Sequence, residues 1–209
     1  MAGSPVRSPV AVAAAATDQS TIVDTLTAAF AEDPVLSWVF PRAATRPRDG
    51  RHFFSFLATR LLPGGESWTT DGGAALWAAP GRWRETPGEL LRLGAATARG
   101  AWPHWIRVLH GLGAVEARHP REPHLYLAAI GVLPGRQGEG LGSALLAPGL
   151  ARCDELGLPA YLESSNPLNV PLYERHGFVA TERRTLPKGP PVTLMWRPAV
   201  GQRVGEGVS

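Results

Sequence analysis

Apolar residues recur along this chain at two periods, and each switch between them marks an element. Val10 to Ala16 is a short apolar run that fits a strand. Asp18 then stands at an N-cap position ahead of Ile22, Leu26 and Phe30, which share one face of a helix. Pro34, in "EDPVLSWVFP", is expected to break that helix. Phe53, Phe54, Leu57 and Leu61 give a second helix over 51–62, and "SWTTDGGAALWAAP" reads as a hairpin turning at Asp71-Gly72-Gly73. Over 86–118, Leu90, Leu91, Leu93, Ile106, Val108, Leu109 and Leu112 indicate helix, divided by Pro103 and several glycines.

The second half is more regular. "HLYLAAIGV" is an almost wholly apolar run, the pattern of a strand buried on both faces. A helix from about Gly142 to Leu156 closes on Gly157, "PAYLES" is a further strand, and a short helix over 168–176 stops at Gly177. "FVATERRTL" and "PVTLMWR" are the last two strands. Strand, helix, strand, short helix, strand, strand is an α/β pattern with a parallel crossover at its centre. One domain over 9–198 is expected, between loose tails at 1–8 and 199–209.

Composition removes several classes of function. Nothing approaches eighteen consecutive apolar residues, so no membrane helix is expected, and the Ala-rich patch near the N-terminus follows a single basic residue, Arg7, which argues against a secretion signal. Cys153 is the only cysteine; no intrachain disulfide is possible, and a reducing cytoplasm is the expected setting. The net charge of +3 comes from scattered arginines with Lys188 the only lysine, and no basic stripe with interleaved aromatics points to nucleic acid. His52, His104, His110, His119 and His176 have no metal-ligand spacing, so no metal is expected.

Chemistry is densest in "GVLPGRQGEGLGSALL", where glycines crowd the start of a helix. A P-loop fails, because Leu141 occupies the lysine position. A dinucleotide fingerprint begins at Gly138 and Gly140 but has Ser143 in its third place, with Glu163 as its ribose acid. A third reading takes residues 137–142 as Q-x-x-G-x-G: bare main-chain N–H groups and a helix N-terminus together hold a pyrophosphate. A sharp turn without a ligand is the fourth.

With the strand ending "V-L-P" before it and "YLESSNPLNVPLYERHGF" after it, the Q-x-x-G-x-G segment resembles the GCN5-related N-acetyltransferase (GNAT) superfamily. The pattern over residues 122–197 is most similar to its puromycin N-acetyltransferase group, with "AFAEDP" a looser match and 80–120 divergent. The resemblance implies a mixed central sheet with splayed parallel strands flanked by helices, a helical insert in the first half, acetyl-CoA as donor and a primary amine as acceptor. That acceptor would be a small molecule, an aminoacyl-nucleoside or another antibiotic or metabolite; acetylation of protein or peptide amines, or a CoA-binding module without chemistry, are the alternatives. A monomer or homodimer is expected.

The same resemblance implies roles for individual positions. Arg136, Gln137, Gly138, Glu139, Gly140, Leu141, Gly142 and Ser143 would hold the pyrophosphate, Arg136 adding a charge-assisted contact. The strand carrying Ile130 and Val132 would pair with the pantetheine arm, with an N–H near Val132 at the thioester oxygen, and Asn169 would touch CoA. Tyr173 is the expected general acid and Glu163 a general base, with His124 a further candidate base. Glu32 and Asp33 would line the acceptor wall, where Trp102, Trp105 and Trp83 could stack on an aromatic acceptor. Cys153 is expected as buried packing.

Overall fold

The computed structural model describes residues 9–84 and 86–201; the expected tail at 1–8 and all but the first residues of the tail from Ala199 lie outside the described residues. Among the described residues seven strands form one sheet in the order β1-β2-β3-β4-β5-β7-β6. They are β1 (Val12–Ala13), β2 (Trp68–Thr70), β3 (Gly73–Ala78), β4 (Leu125–Val132), β5 (Ala160–Ser164), β6 (Val179–Thr185) and β7 (Pro191–Arg197). Only β4 and β5 are parallel. Between them runs α6 (Leu141–Leu156), the crossover expected from the pattern.

Helices α1 (Gln19–Ala29), α2 (Pro34–Val39), α3 (Arg46–Leu61), α4 (Pro87–Ala101) and α5 (Trp105–Glu116) all precede β4, and α7 (Val170–Arg175) follows β5. Ile22, Leu26, Phe54 and Leu61 of α1 and α3 bury against Ala74, Leu76 and Ala78 of β3. On the opposite face Leu145, Leu146 and Leu150 of α6 cover Trp77, Leu127 and Leu162. Trp77 reaches the helix axis only because Gly149 has no side chain: a Cβ there would lie 2.6 Å from the indole. A third cluster joins Trp38 of α2, Val108 and Val115 of α5, and Tyr161, Leu194 and Trp196 of the sheet.

Several expected boundaries shift. The first strand is reduced to two paired residues. Asp18 does not cap α1; its carboxylate accepts from the Ala15 N–H at 2.8 Å and closes a single tight turn ahead of the helix. Pro34 starts α2 instead of terminating α1, since a first-turn proline loses no helical hydrogen bond. The strand β4 is not buried on both faces: buried and half-buried residues alternate along it.

A register shift in β4 positions the site. Leu76 of β3 faces Ala129 while Trp77 faces Leu127, so Ala128 is an extra residue, a bulge. Pairing of β4 with β5 stops at Leu127↔Leu162, although β4 runs on to Val132 and β5 to Ser164. Beyond the bulge the two parallel strands are splayed, and the β5-facing edge of Ile130–Val132 has no strand partner among the described residues.

Candidate active site

The splay opens into a cleft of about 550 Å³. Gly138 and Gly140 turn the chain from β4 into α6 with φ of +86° and +81°, the left-handed region where a Cβ is strained. Ala144 is the first residue of α6 whose amide finds a main-chain partner, the Gly140 carbonyl at 3.0 Å. The N–H groups of Leu141, Gly142 and Ser143 have no main-chain acceptor among the described residues and lie at the positive end of a sixteen-residue helix. Those three residues line the cleft. Gly142 also lets α7 approach: a Cβ there would meet Leu172 at 3.2 Å.

Asp33 sits across the cleft at the mouth of α2. Its Oδ1 accepts from the Val35 and Leu36 N–H groups, each at 2.9 Å, and its Oδ2 accepts from the Ser165 hydroxyl at 2.5 Å. Burial disfavours the charged form and pushes the carboxyl above its ordinary 3.8, against the pull of these three hydrogen bonds. Tyr173, on α7, lines the same cleft and is 5% exposed. Its phenol is raised above its ordinary 10.0 first by burial and then by the negative charge of Asp33, so it keeps its proton across the neutral range.

The structure thus brings Glu32, Asp33, Ile130, Val132, Arg136, Gln137, Gly138, Gly140, Leu141, Gly142, Ser143, Asn169 and Tyr173 to one cleft. Arg136 arrives already engaged: Nε donates to both oxygens of Glu139, at 3.0 and 2.8 Å, and Nη1 lies 3.4 Å from Asp71. Glu139 serves that pair and is not among the cleft-lining residues. Ser143 Oγ is 3.0 Å from His176 Nε2. Sequence reasoning missed Ser165, whose partner is 132 residues away and leaves no local signal, and also Asn166 and Arg175, which line the cleft.

Glu163 and the tryptophans stand apart from this lining. Glu163 accepts from the hydroxyls of Tyr126 and Tyr161, both at 3.2 Å, with His119 Nδ1 at 3.6 Å. Trp102 and Trp105 are 57% and 42% exposed and do not line the cleft, while Trp83 stacks on His119 at 3.5 Å. His124 is buried, hydrogen-bonded to His119 and pushed down to about 4 by burial, so it is neutral and away from the cleft lining. Cys153 is fully buried and burial pushes its thiol up to about 12, which leaves no thiolate for chemistry. No group of three or more His, Cys, Asp and Glu side chains able to hold a metal is present among the described residues.

A backbone anion cradle facing a protonated phenol and a buried carboxylate is suited to binding a phosphorylated donor and moving a proton beside it. Comparison with known proteins agrees. The acetyltransferase (GNAT) family matches residues 75–178. An uncharacterized N-acetyltransferase of Schizosaccharomyces pombe is 31% identical over 51% of this chain and 47% of its own length. A mycothiol acetyltransferase of Streptomyces avermitilis is 37% identical over 38% of this chain and 23% of its own. The chain therefore spans less than half the length of these curated relatives. Among solved structures, one described as histone acetyltransferase HPA2 and related acetyltransferase, from Corynebacterium glutamicum, superposes with a TM-score of 0.68 at 27% identity, covering 94% of this chain and 99% of that one. With the splayed sheet, the glycine loop at the mouth of α6 and these matches in accord, the chain belongs to the GNAT acetyltransferase family.

Proposed function

We propose that the protein transfers the acetyl group of acetyl-CoA to a primary amine by direct attack within one ternary complex. The observation that carries this reading is the meeting, in a single cleft, of the unpaired α6 amides with Asp33 and Tyr173. The amides of Leu141, Gly142 and Ser143 fit a pyrophosphate without help from lysine. The open edge of Ile130–Val132 fits an amide-bearing arm lying as an added strand. Acetyl-CoA supplies the activated acyl group; the chain's residues orient it and handle the protons.

Asp33 takes a proton from the acceptor ammonium and so frees the nucleophile. As the new C–N bond forms and the C–S bond breaks, Tyr173 donates its proton toward the departing sulfur. Nitrogen gives up two protons in all: the first passes through Asp33 to solvent, and the second, shed as the amide forms, replaces on Tyr173 the one that went to sulfur. Ser165 holds the Asp33 carboxylate in position through its 2.5 Å hydrogen bond, and the α2 amides hold the other oxygen. In this assignment Asp33, first expected as acceptor wall, is the base in place of Glu163, because it lines the cleft beside Tyr173.

The acceptor is a small-molecule amine, and the similarity of residues 122–197 to the puromycin N-acetyltransferase group supports an antibiotic or aminoacyl-nucleoside, in a reducing cytoplasm. Acetylation of a protein amine is the second reading, favoured by the likeness to the C. glutamicum protein. An amine screen with acetyl-CoA, including puromycin and a lysine-rich peptide and read by release of free thiol, separates the two. Thiol release with a small amine and none with the peptide is the expected result; CoA binding without release from any amine would refute transfer.

A further inference from the structure

His176 closes α7 three places after Tyr173 and reaches across to the donor wall of the cleft. Its main-chain N–H donates to the Tyr173 carbonyl at 2.9 Å, and its ring carries Nε2 to 3.0 Å from Ser143 Oγ in the first turn of α6. One residue thus joins the helix that holds the phenol to the helix mouth that presents the amides of Leu141, Gly142 and Ser143. The two helices come close enough for that reach because Gly142 leaves room for Leu172. Ser143 lines the cleft, and among the described residues His176 is the only hydrogen-bond partner of its hydroxyl. His176 stands behind the serine, outside the cleft lining, so whatever it does for a ligand it does through Ser143.

The hydrogens of this pair have two orders. Burial, with the charges of Arg175 and Arg197 behind it, pulls the His176 pKa below its ordinary 6.5, so at neutral pH the ring carries a single hydrogen. With that hydrogen on Nδ1, the bare Nε2 takes the Ser143 hydroxyl hydrogen, and the serine presents only lone pairs to the cleft. With it on Nε2, the ring donates to Oγ, and the hydroxyl hydrogen is left for an acceptor in the cleft. No partner holds Nδ1 among the described residues, unlike His124, whose Nδ1 lies 2.7 Å from the Glu122 carbonyl. The order is therefore free to follow what occupies the cleft. A diphosphate brings acceptors and no donors, and it draws the second order, in which Ser143 offers its amide and its hydroxyl together at the positive end of α6. We infer that His176 is a positioning residue for the diphosphate of the donor: its Nε2–H fills Ser143 Oγ and turns the serine hydroxyl into a further donor beside the α6 amides.

This inference rests on the reading of the cleft as a CoA site, and calorimetry of CoA on the full chain tests it without an acceptor amine. His176→Phe keeps a ring and removes the N–H, Ser143→Ala removes the hydroxyl, and the two are also combined. Each single substitution is expected to weaken CoA about tenfold, the scale of one hydrogen bond to a charged group, and the pair to cost no more than either alone. His176→Gln, which can set an amide N–H in the place of Nε2–H, is expected to bind CoA within about threefold of the wild type. A ring that serves only as packing gives the reverse, affinity kept in His176→Phe and lost in His176→Gln, and that overturns the inference. Losses that multiply in the double variant overturn it also, since ring and serine then act separately. Unchanged CoA affinity in Ser143→Ala overturns it with His176 intact, so a poorly folding ring variant leaves the proposal open to refutation; thiol release in that variant would leave the transfer reading standing. The expected pattern of CoA affinities, without thiol release from any amine in the wild type, supports the positioning role and refutes transfer. A wild type that binds no CoA overturns both.

Discussion

One wall of the cleft is a continuous stretch of chain, the turn and helix start over 135–143, and it offers mainly backbone. The facing wall gathers Asp33, Ser165 and Tyr173 from α2, the segment after β5, and α7, and it offers side chains. The first kind of site binds what every member of a donor class shares, a pyrophosphate and a chain of amides. The second kind determines which proton moves and which acceptor fits. Main-chain recognition constrains sequence locally, through glycines and a helix start, whereas side-chain recognition requires only that distant segments meet. The wall proposed to hold the donor is therefore written in consecutive letters, and the wall that faces it is not.

The comparison is tested most severely at Tyr173. Tyr173→Phe removes the donor hydroxyl and leaves the ring packed on Phe178, so turnover should fall about 10²- to 10⁴-fold while CoA affinity measured by calorimetry stays within a few fold. Equal losses in both would make the tyrosine part of the donor wall. Asp33→Asn comes next. Asparagine still caps α2, so the fold should survive, but kcat should fall about a hundredfold. Because burial raises the Asp33 pKa, the wild-type rate should climb with pH through a value above 3.8, and the variant should lose that limb. The sign for stability is opposite: the folded protein holds this proton more tightly than the unfolded chain, so the contribution is greatest at low pH and is lost as pH rises through the folded value. A wild-type acid limb that persists unchanged in Asp33→Asn would return the base role to another group.

On the donor wall the expected effects are smaller and of a different kind. Gly140→Asp places a side chain at φ +81° and a negative charge at the anion cradle, and CoA affinity should weaken about tenfold or more. Gly140→Ala keeps the strain without the charge and should cost about 1–2 kcal/mol of stability, seen as a lower melting temperature, with affinity less affected. If both substitutions weaken CoA alike, strain and not charge governs the loop.

The residues show why legibility divides this way. The crossover β4–α6–β5 and the glycine turn are legible because each is local, a strand and a helix mouth; Tyr173 is not, since helical spacing alone reads it as packing and only the family resemblance singles it out. The splay has no signature in the apolar pattern and is expected only from the family resemblance. It begins next to one extra residue, Ala128, in a strand whose apolar run looks unbroken, and only pairing with β3 exposes that bulge. Pro34 was expected as a terminator because a proline ends or starts a helix with equal ease, and the carboxylate before it decides which. Ser165 and the His119–His124 pair escape for a plainer reason: a hydrogen bond across 132 residues, or between two rings brought together by a loop, has no period.

The least effect is expected where aromatic residues look most like a binding surface. Trp102 and Trp105 lie at the junction of α4 and α5, and the acceptor wall was expected to include them; both are largely solvent-facing and outside the cleft lining. An indole that stacks on an acceptor loses affinity when removed, by about 0.5–1.5 kcal/mol for a well-placed aromatic pair, or roughly twofold to tenfold in KM. An exposed indole that stacks on nothing changes stability by about 0.5 kcal/mol or less and leaves KM alone. Trp102→Ala and Trp105→Ala, assayed with the best amine from the screen, should fall in the second case. A severalfold rise in KM at unchanged kcat in either variant would extend the acceptor wall beyond Asp33 to the α4–α5 junction, and would make the divergent insert part of specificity.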